Sequence, residues 1–474
     1  MPPSPAYRPD PRFAALGPEF ADPVAPATFP KHILRFRNDA WAARVGLDTL
    51  DPAEWESAFA RFEPLPGNMP RPLAMRYHGH QFRVYNPDIG DGRGFLYAQL
   101  RDDAGRLLDL ATKGSGQTPY SRFGDGRLTL KGGVREVLAA EMLAALGVKT
   151  SKAFALFETG EALQRNDEPS PTRAAVLTRL SHSHLRFGTF QRLTYFERPD
   201  LIRVLIDHAV ECYYPELSDQ EGEARAAALF EKVVEASARL AASWMAAGFV
   251  HGVLNTDNMT LTGESFDYGP WRFLPTSDPN FTAAYFDEVG LYSFGRQPEA
   301  ASWNLAQLAG CFSLVCDTPA LERGLGFFAI HYQTGLRDKM FARLGLTTGD
   351  LAADMDFLRL LFGWMTESGI GWAQFFFDWF GGAASAARAA QSPAASHYDG
   401  AAFAPIRAEV EKRSDERAPR LDHPYFARTA PCDLLIEELE AIWAAIAERD
   451  DWTSFENKIA DIRLMGAALG IQTE

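Results

Sequence analysis

The sequence predicts an α+β fold of two lobes, a small β-rich lobe followed by a large helical one. Three observations carry this expectation. From Tyr77 to about Arg192, short apolar runs alternate with glycine turns, the pattern of strands and hairpins. From about Thr194 onward the apolar residues fall at helical spacing, as in Phe230, Val233, Val234, Leu240, Ala241 and Trp244. Soon after that helix the loop His251-Gly-Val-Leu-Asn-Thr-Asp257-Asn258 presents an acid and an amide side by side. The expected divisions are an N-terminal arm with short helices (1–74), the small lobe (75–193), and the helical lobe with a C-terminal extension (194–474).

Bulk properties narrow the function. A chain of 474 residues accommodates a large two-lobed enzyme, and 46% hydrophobic residues supply its core. The net charge of −15 argues against a general nucleic-acid partner, so any phosphate site has to come from a local cluster of Lys and Arg. Cys212, Cys311, Cys316 and Cys432 show no C-x-x-C spacing and read as reduced, buried thiols. The N-terminus has no apolar signal core. The most apolar stretch, 355–380, is interrupted by Asp356, Arg359, Glu367 and Asp378, so no membrane partner is expected. A soluble, cytoplasmic protein follows as the expectation.

Taken in order, residues 1 to about 70 read as a Pro-rich, irregular arm with short helices near Trp41 and from Trp55 to Phe62. Tyr77–Tyr85 alternates as a strand. It puts His78 and His80 on one face, but no third ligand is near to make a metal site. Ile89-Gly-Asp-Gly-Arg-Gly94 is a glycine turn, followed by a strand Phe95–Leu100, a turn at 102–105 and a strand from Leu107 that ends in Lys113. Glycines of this kind let backbone approach a phosphate, and a strand lysine reaches it. The stretch Lys113 to Arg127 is a long polar loop, too glycine-rich for a strand or helix, and Gly-Asp-Gly-Arg occurs in it for the second time (90–93 and 124–127). A helix from about Gly133 to Leu146 carries Glu136, either a partner for Lys113 or an exposed first-turn glutamate.

Strands Ala153–Phe157 and Ala174–Leu180 follow, the second carrying Arg179, and then Ser181-His-Ser-His-Leu-Arg186. His182 and His184 read as structural. Arg93, Lys113, Arg179 and Arg186 together make a cationic set suited to a triphosphate, although each arginine alone also reads as a solvated surface residue. Helices are expected over 199–214 and 223–247, the latter stopped by Gly248. A turn at Gly263-Glu264 returns the chain to a second acid, Asp267. Beyond it are an extended loop (287–298), a buried helix (302–315), an Ala/Ser/Gly-rich flexible excursion (382–404) and two closing helices (433–448, 452–469).

Asp257, Asn258 and Asp267 are the grouping that kinase-like enzymes need. An acid on a loop orients or deprotonates the attacking hydroxyl, and an Asn and an Asp hold Mg²⁺ against the nucleotide phosphates. Several motifs carry a closer resemblance: His78-Gly-His-Gln-Phe, Ile89-Gly-Asp-Gly-Arg93, the run from Lys113 to Arg127, Arg135-Glu136, Ser183-His-x-Arg186-Phe-Gly, the His251–Asn258 loop and Asp267-Tyr-Gly-Pro. In these motifs, over roughly residues 75 to 300, the chain resembles the selenoprotein O (SelO) family of kinase-like protein adenylyltransferases. The resemblance implies a protein-kinase-like fold that transfers AMP from ATP to Ser, Thr or Tyr hydroxyls of proteins and releases pyrophosphate, with ATP held in reverse. It implies Asp257 as general base and Asn258 and Asp267 as ligands of Mg²⁺ (or Mn²⁺). Gly90, Gly92, Arg93, Lys113, Asp125, Gly126, Arg179, Arg186 and Asp267 would contact the nucleotide, and Glu136 would pair with Lys113. The chain departs from the family pattern at Lys131-Gly-Gly and Ala283-Ala-Tyr-Phe-Asp287, and after Cys432 there is no cysteine for a redox-active tail. Two other functions fit the same residues, an ordinary phosphotransferase and a non-catalytic ATP-binding scaffold; the presence of Asp257, Asn258, Asp267 and Lys113 together argues for catalysis.

Overall fold

An antiparallel sheet organises the N-terminal part of the chain. In the computed structural model, which describes residues 4–166, 168–414 and 421–471, its strands lie in the order Ala21–Pro23, Leu73–Met75, Leu96–Arg101, Leu107–Lys113, Thr172–Ser181, Lys152–Leu163, Ile33–Arg37. A short strand, Leu128–Thr129, also pairs with Thr172–Ser181. The Leu107–Lys113 strand is buried at every position because the sheet is covered on both faces, which is why it reads as an almost continuous apolar run. Strand alternation divides the side chains. Ala175 and Leu177 join the core beneath the helix Leu130–Ala145, while Val176 and Leu180 join a second core built by the N-terminal arm.

That arm does more than lie over the sheet. Its short helices, Asp39–Arg44 and Pro52–Phe59, are present, and Trp55 stacks on Phe154 at 5.2 Å. It also supplies three strands, where the sequence reading expects irregular chain. Ile33 pairs with Glu158 and Ala21 with Met75, and pairings so distant leave no local periodicity to read. The Tyr77–Tyr85 stretch folds back as a separate small hairpin, Gly79–Gln81 with Val84–Asn86. The helix carrying Glu136 starts at Leu130, before the expected Gly133, because Thr129 caps it by accepting the Gly132 N–H.

The rest of the described chain is mainly helical. Gly222–Ala247 is the longest helix and ends at Gly248 in the left-handed conformation, φ +67°. Its apolar face meets Gln297–Phe312 and Phe328–Leu344. The last two helices, Ile436–Arg449 and Thr453–Leu469, return to the Glu136 helix through Lys131–Glu440 (2.7 Å) and Arg463–Glu141 (2.8 Å) ion pairs. Residues 382–404 are not a flexible excursion. They form short helical turns anchored by Tyr398 and Phe403, which are buried against Trp364 and Trp379. Small residues suggest a mobile linker by composition, but two aromatic side chains suffice to fix it. Among the described residues no helix is long and apolar enough to cross a membrane.

Candidate active site

A cleft of about 690 Å³ opens between the sheet and the helical part. Gly90, Gly92, Arg93, Lys113, Asp125, Gly126, Arg179, Arg186, Asp257 and Asp267 all line it. Residues separated by more than 170 positions in sequence thus meet on one surface.

The sheet supplies the cations. Lys113 ends its strand with the ammonium buried, ion-paired to Glu136 and, at 2.8 Å, to Asp267. Glu136 is accordingly not an exposed first-turn residue; it is buried beneath the sheet. Arg179 reaches Asp267 Oδ1 at 3.2 Å. Arg186 spans both sides: Nη1 donates to the Asp257 carbonyl (3.0 Å) and approaches Asp267 Oδ2 (3.4 Å), while Nη2 approaches Asp91 Oδ1 (3.3 Å). Tyr77 and Phe266 face its guanidinium at 4.4 and 4.8 Å and hold it in place. Arg93 is exposed at the cleft wall, and Asp125 is ion-paired to Arg165 (2.8 Å). The two Gly-Asp-Gly-Arg segments tolerate no side chain where they pack: a Cβ on Gly90 would lie 2.5 Å from the Tyr120 ring, and one on Gly126, whose φ is +70°, would lie 2.3 Å from Gly116.

The helical part supplies the acids on two short segments. Thr256–Asn258 forms one tight turn, pinned on both sides. Thr256 Oγ1 donates to Gln191 (2.6 Å) and accepts the His80 N–H (2.7 Å), and Asn255 Oδ1 accepts the Phe82 N–H (3.0 Å) and the Tyr292 hydroxyl (2.9 Å). Asp257 is buried, and its Oδ1 has no hydrogen-bond partner among the described residues. Burial raises its pKa to about 6; Arg186 opposes this, and the Asp267 charge adds to it. The hairpin passes close over it: a Cβ on Gly79 would lie 2.9 Å from Asp257 Oδ1. Asp267 has a left-handed backbone, φ +65°, uncommon for a non-glycine residue. Burial alone would raise its pKa, but Lys113, Arg179 and Arg186 hold it well below the usual carboxylate range. The buried His251 ring bonds the Phe266 carbonyl at 3.0 Å and ties the two acidic segments together.

Asn258 stands apart from the other expected residues. It does not line the cleft, and its amide nitrogen donates to the Val253 carbonyl at 2.9 Å. His78 and His80 are committed to Tyr85 (2.8 Å) and Gln191 (2.7 Å). Among the described residues no group of three or more His, Cys, Asp or Glu side chains is arranged to hold a metal. Asp91 is a site residue that sequence reasoning passed over. It accepts the Met75 N–H (3.0 Å) beneath Arg186, and burial raises its pKa. The signal was its place in the repeated Gly-Asp-Gly-Arg. Tyr77 and Phe266 had no signal of their own, because an aromatic beneath an arginine looks like core until the fold brings the two together.

A cationic cleft closed by two acids whose pKa values are driven in opposite directions suits a transferase that works on nucleotide phosphates. Residues 6–463 match the family described as protein adenylyltransferase SelO. Similar proteins include the protein nucleotidyltransferase YdiU of Gloeobacter violaceus, 46% identical over 96% of this chain and 94% of that protein. Those of Synechocystis sp. (45%, over 96% and 97%) and Synechococcus elongatus (51%, over 77% and 74%) are comparable. The chain belongs to the SelO family of protein adenylyltransferases. It is an enzyme of the nucleotidyltransferase class, with ATP the substrate that its family implies.

Proposed function

We propose that the chain has a two-lobed, protein-kinase-like arrangement divided near residues 74 and 193, and that it transfers AMP from ATP to Ser, Thr or Tyr hydroxyls of proteins, releasing pyrophosphate. One observation carries the reading. Lys113, Arg179 and Arg186 converge on a single carboxylate, Asp267, beside a buried acid, Asp257, that has an unpartnered oxygen. Fixed cations at that place stabilise negative charge as it develops on a leaving pyrophosphate. Arg93, at the open wall, and the backbone of Gly90, Gly92 and Gly126 complete the phosphate cradle, with Asp125 at its rim. Glu136 keeps the Lys113 ammonium in place.

Asp257 accepts the proton of the attacking hydroxyl. With a pKa of about 6 it is mostly ionised at neutral pH, yet more basic than an ordinary aspartate. The donors on hand fit a hard divalent cation: the free Asp257 Oδ1, the Asp267 carboxylate, and the Asn258 carbonyl, whose amide nitrogen is committed elsewhere. Asn258 and Asp267 would hold Mg²⁺ (or Mn²⁺), which when bound screens the phosphate charge.

The test uses ATP labelled at the α- or the γ-phosphate, with the purified protein and a cell extract as acceptors. Label from the α-position alone, on protein, is the expected result. Label from the γ-position alone makes the chain a phosphotransferase, and ATP binding without transfer makes it a scaffold.

A further inference from the structure

A second cavity, of about 320 Å³, lies on the far side of the sheet from the cleft, under the N-terminal arm. Arg44, Arg106, Lys149 and Lys152 line it, with His182 and a single carboxylate, Glu264. In a chain of net charge −15, four cations on one small cavity are a local exception. Arg44 and Arg106 are steered by Asp103 and Asp102 (2.8 and 2.7 Å), and Glu264 accepts the backbone N–H of His182 at 2.7 Å. Lys149 donates to the Thr262 carbonyl at 2.9 Å.

Two groups in the cavity are left short of partners. The Lys152 ammonium bonds the Thr150 carbonyl (2.5 Å) and lies over the Trp41 ring (5.5 Å), but among the described residues no carboxylate lies within ion-pair distance of it. Burial lowers its pKa to about 8, so it bears its charge at a cost that an anion would relieve. The His182 ring also lines the cavity, and its buried Nδ1 has no hydrogen-bond partner among the described residues.

We propose that this cavity is a second ligand site, for a small phosphate-bearing anion, in which Lys152, Arg44, Arg106 and Lys149 contact the phosphate oxygens and the His182 ring donates to one of them. The cavity volume exceeds a single phosphate and accommodates a diphosphate or a small phosphorylated metabolite. The site is separate from the cleft but shares a strand with it. Leu180 lines the cavity, and its neighbour Arg179 lines the cleft from the opposite face. The proposal does not depend on which phosphate of ATP is transferred.

Calorimetric titration of the full chain with inorganic pyrophosphate tests it. Two binding events are expected. Lys152→Gln weakens one of them about tenfold, the scale of a lost hydrogen bond to a charged group, and Lys113→Ala weakens the other. Arg44→Gln, at a half-exposed position, repeats the first effect if Lys152→Gln disturbs folding. In the native protein the His182 ring resonances shift as pyrophosphate is added. A single event that Lys113→Ala removes and both cavity substitutions leave untouched, with the His182 resonances unmoved, overturns the proposal.

Discussion

Asp257 and Asp267 sit ten positions apart, on two segments of the same cleft wall, and their environments drive them in opposite directions. Around Asp257 burial dominates, one guanidinium offsets part of it, and the pKa rises to about 6. Around Asp267, which is partly buried, burial also raises the pKa, yet three cations within 3.4 Å reverse the sign. The difference lies in the neighbours, since the residue type is the same. The carboxylate kept short of cations is the more basic of the two, and the one surrounded by them is held as an anion.

The largest expected effect separates the two acids by role. Asp257→Asn lowers the transfer rate by about 10²–10⁴-fold, the range for loss of a positioned base, while ATP affinity stays near that of the native chain. Single-turnover transfer and equilibrium ATP binding check this; retained transfer would remove Asp257 as the base. Asp267→Asn acts on the fold as well. It leaves Lys113, Arg179 and Arg186 facing one another with no intervening anion, and thermal or denaturant unfolding should show a loss of about 3–5 kcal/mol, as for a broken buried ion pair. Unchanged stability would mean that the cations relax apart. Lys113→Ala is smaller, weakening ATP binding by about tenfold to a hundredfold, because a phosphate loses one charge-assisted partner. An affinity equal to that of the native chain would place the phosphates elsewhere. The smallest effect is in pH. The transfer rate should fall as pH drops through about 6, because protonated Asp257 accepts no proton. In Asp267→Asn this limb should move to lower pH, since the Asp267 charge is among the causes that hold the Asp257 pKa up. A limb that stays in place would separate the rate from the charge coupling.

Much of the site was legible because its chemistry is concentrated in short runs. Thr256-Asp257-Asn258, the strand end at Lys113 and the two Gly-Asp-Gly-Arg turns are contiguous, and each lines or abuts the cleft. Helices with a strong apolar period, such as Gly222–Ala247, were located to within a residue. Other features depend on distant partners. The entry of the arm into the sheet at Ile33–Arg37 is determined by Lys152–Leu163, and no window of sequence contains both. Adjacency in sequence does not fix a side chain's surroundings. Asn258 follows Asp257 in the chain, yet it is not among the residues that line the cleft, and its amide nitrogen is taken by the Val253 carbonyl. The role of Asp91 beneath Arg186 needed the fold, because its own turn says only that backbone bends there.

Gly79 carries a consequence for how this chain tolerates mutation. Its backbone is not left-handed, so by conformation alone alanine would be accepted there. The constraint is clearance: one added methyl would press on the carboxylate of Asp257 and the side chain of Ile89, 2.9 and 3.1 Å away. A position distant in sequence from both acids is therefore coupled to the placement of the Asp257 carboxylate. In a survey of random substitutions, Gly79 should be less tolerant than glycines with open space around them and no left-handed backbone, such as Gly400.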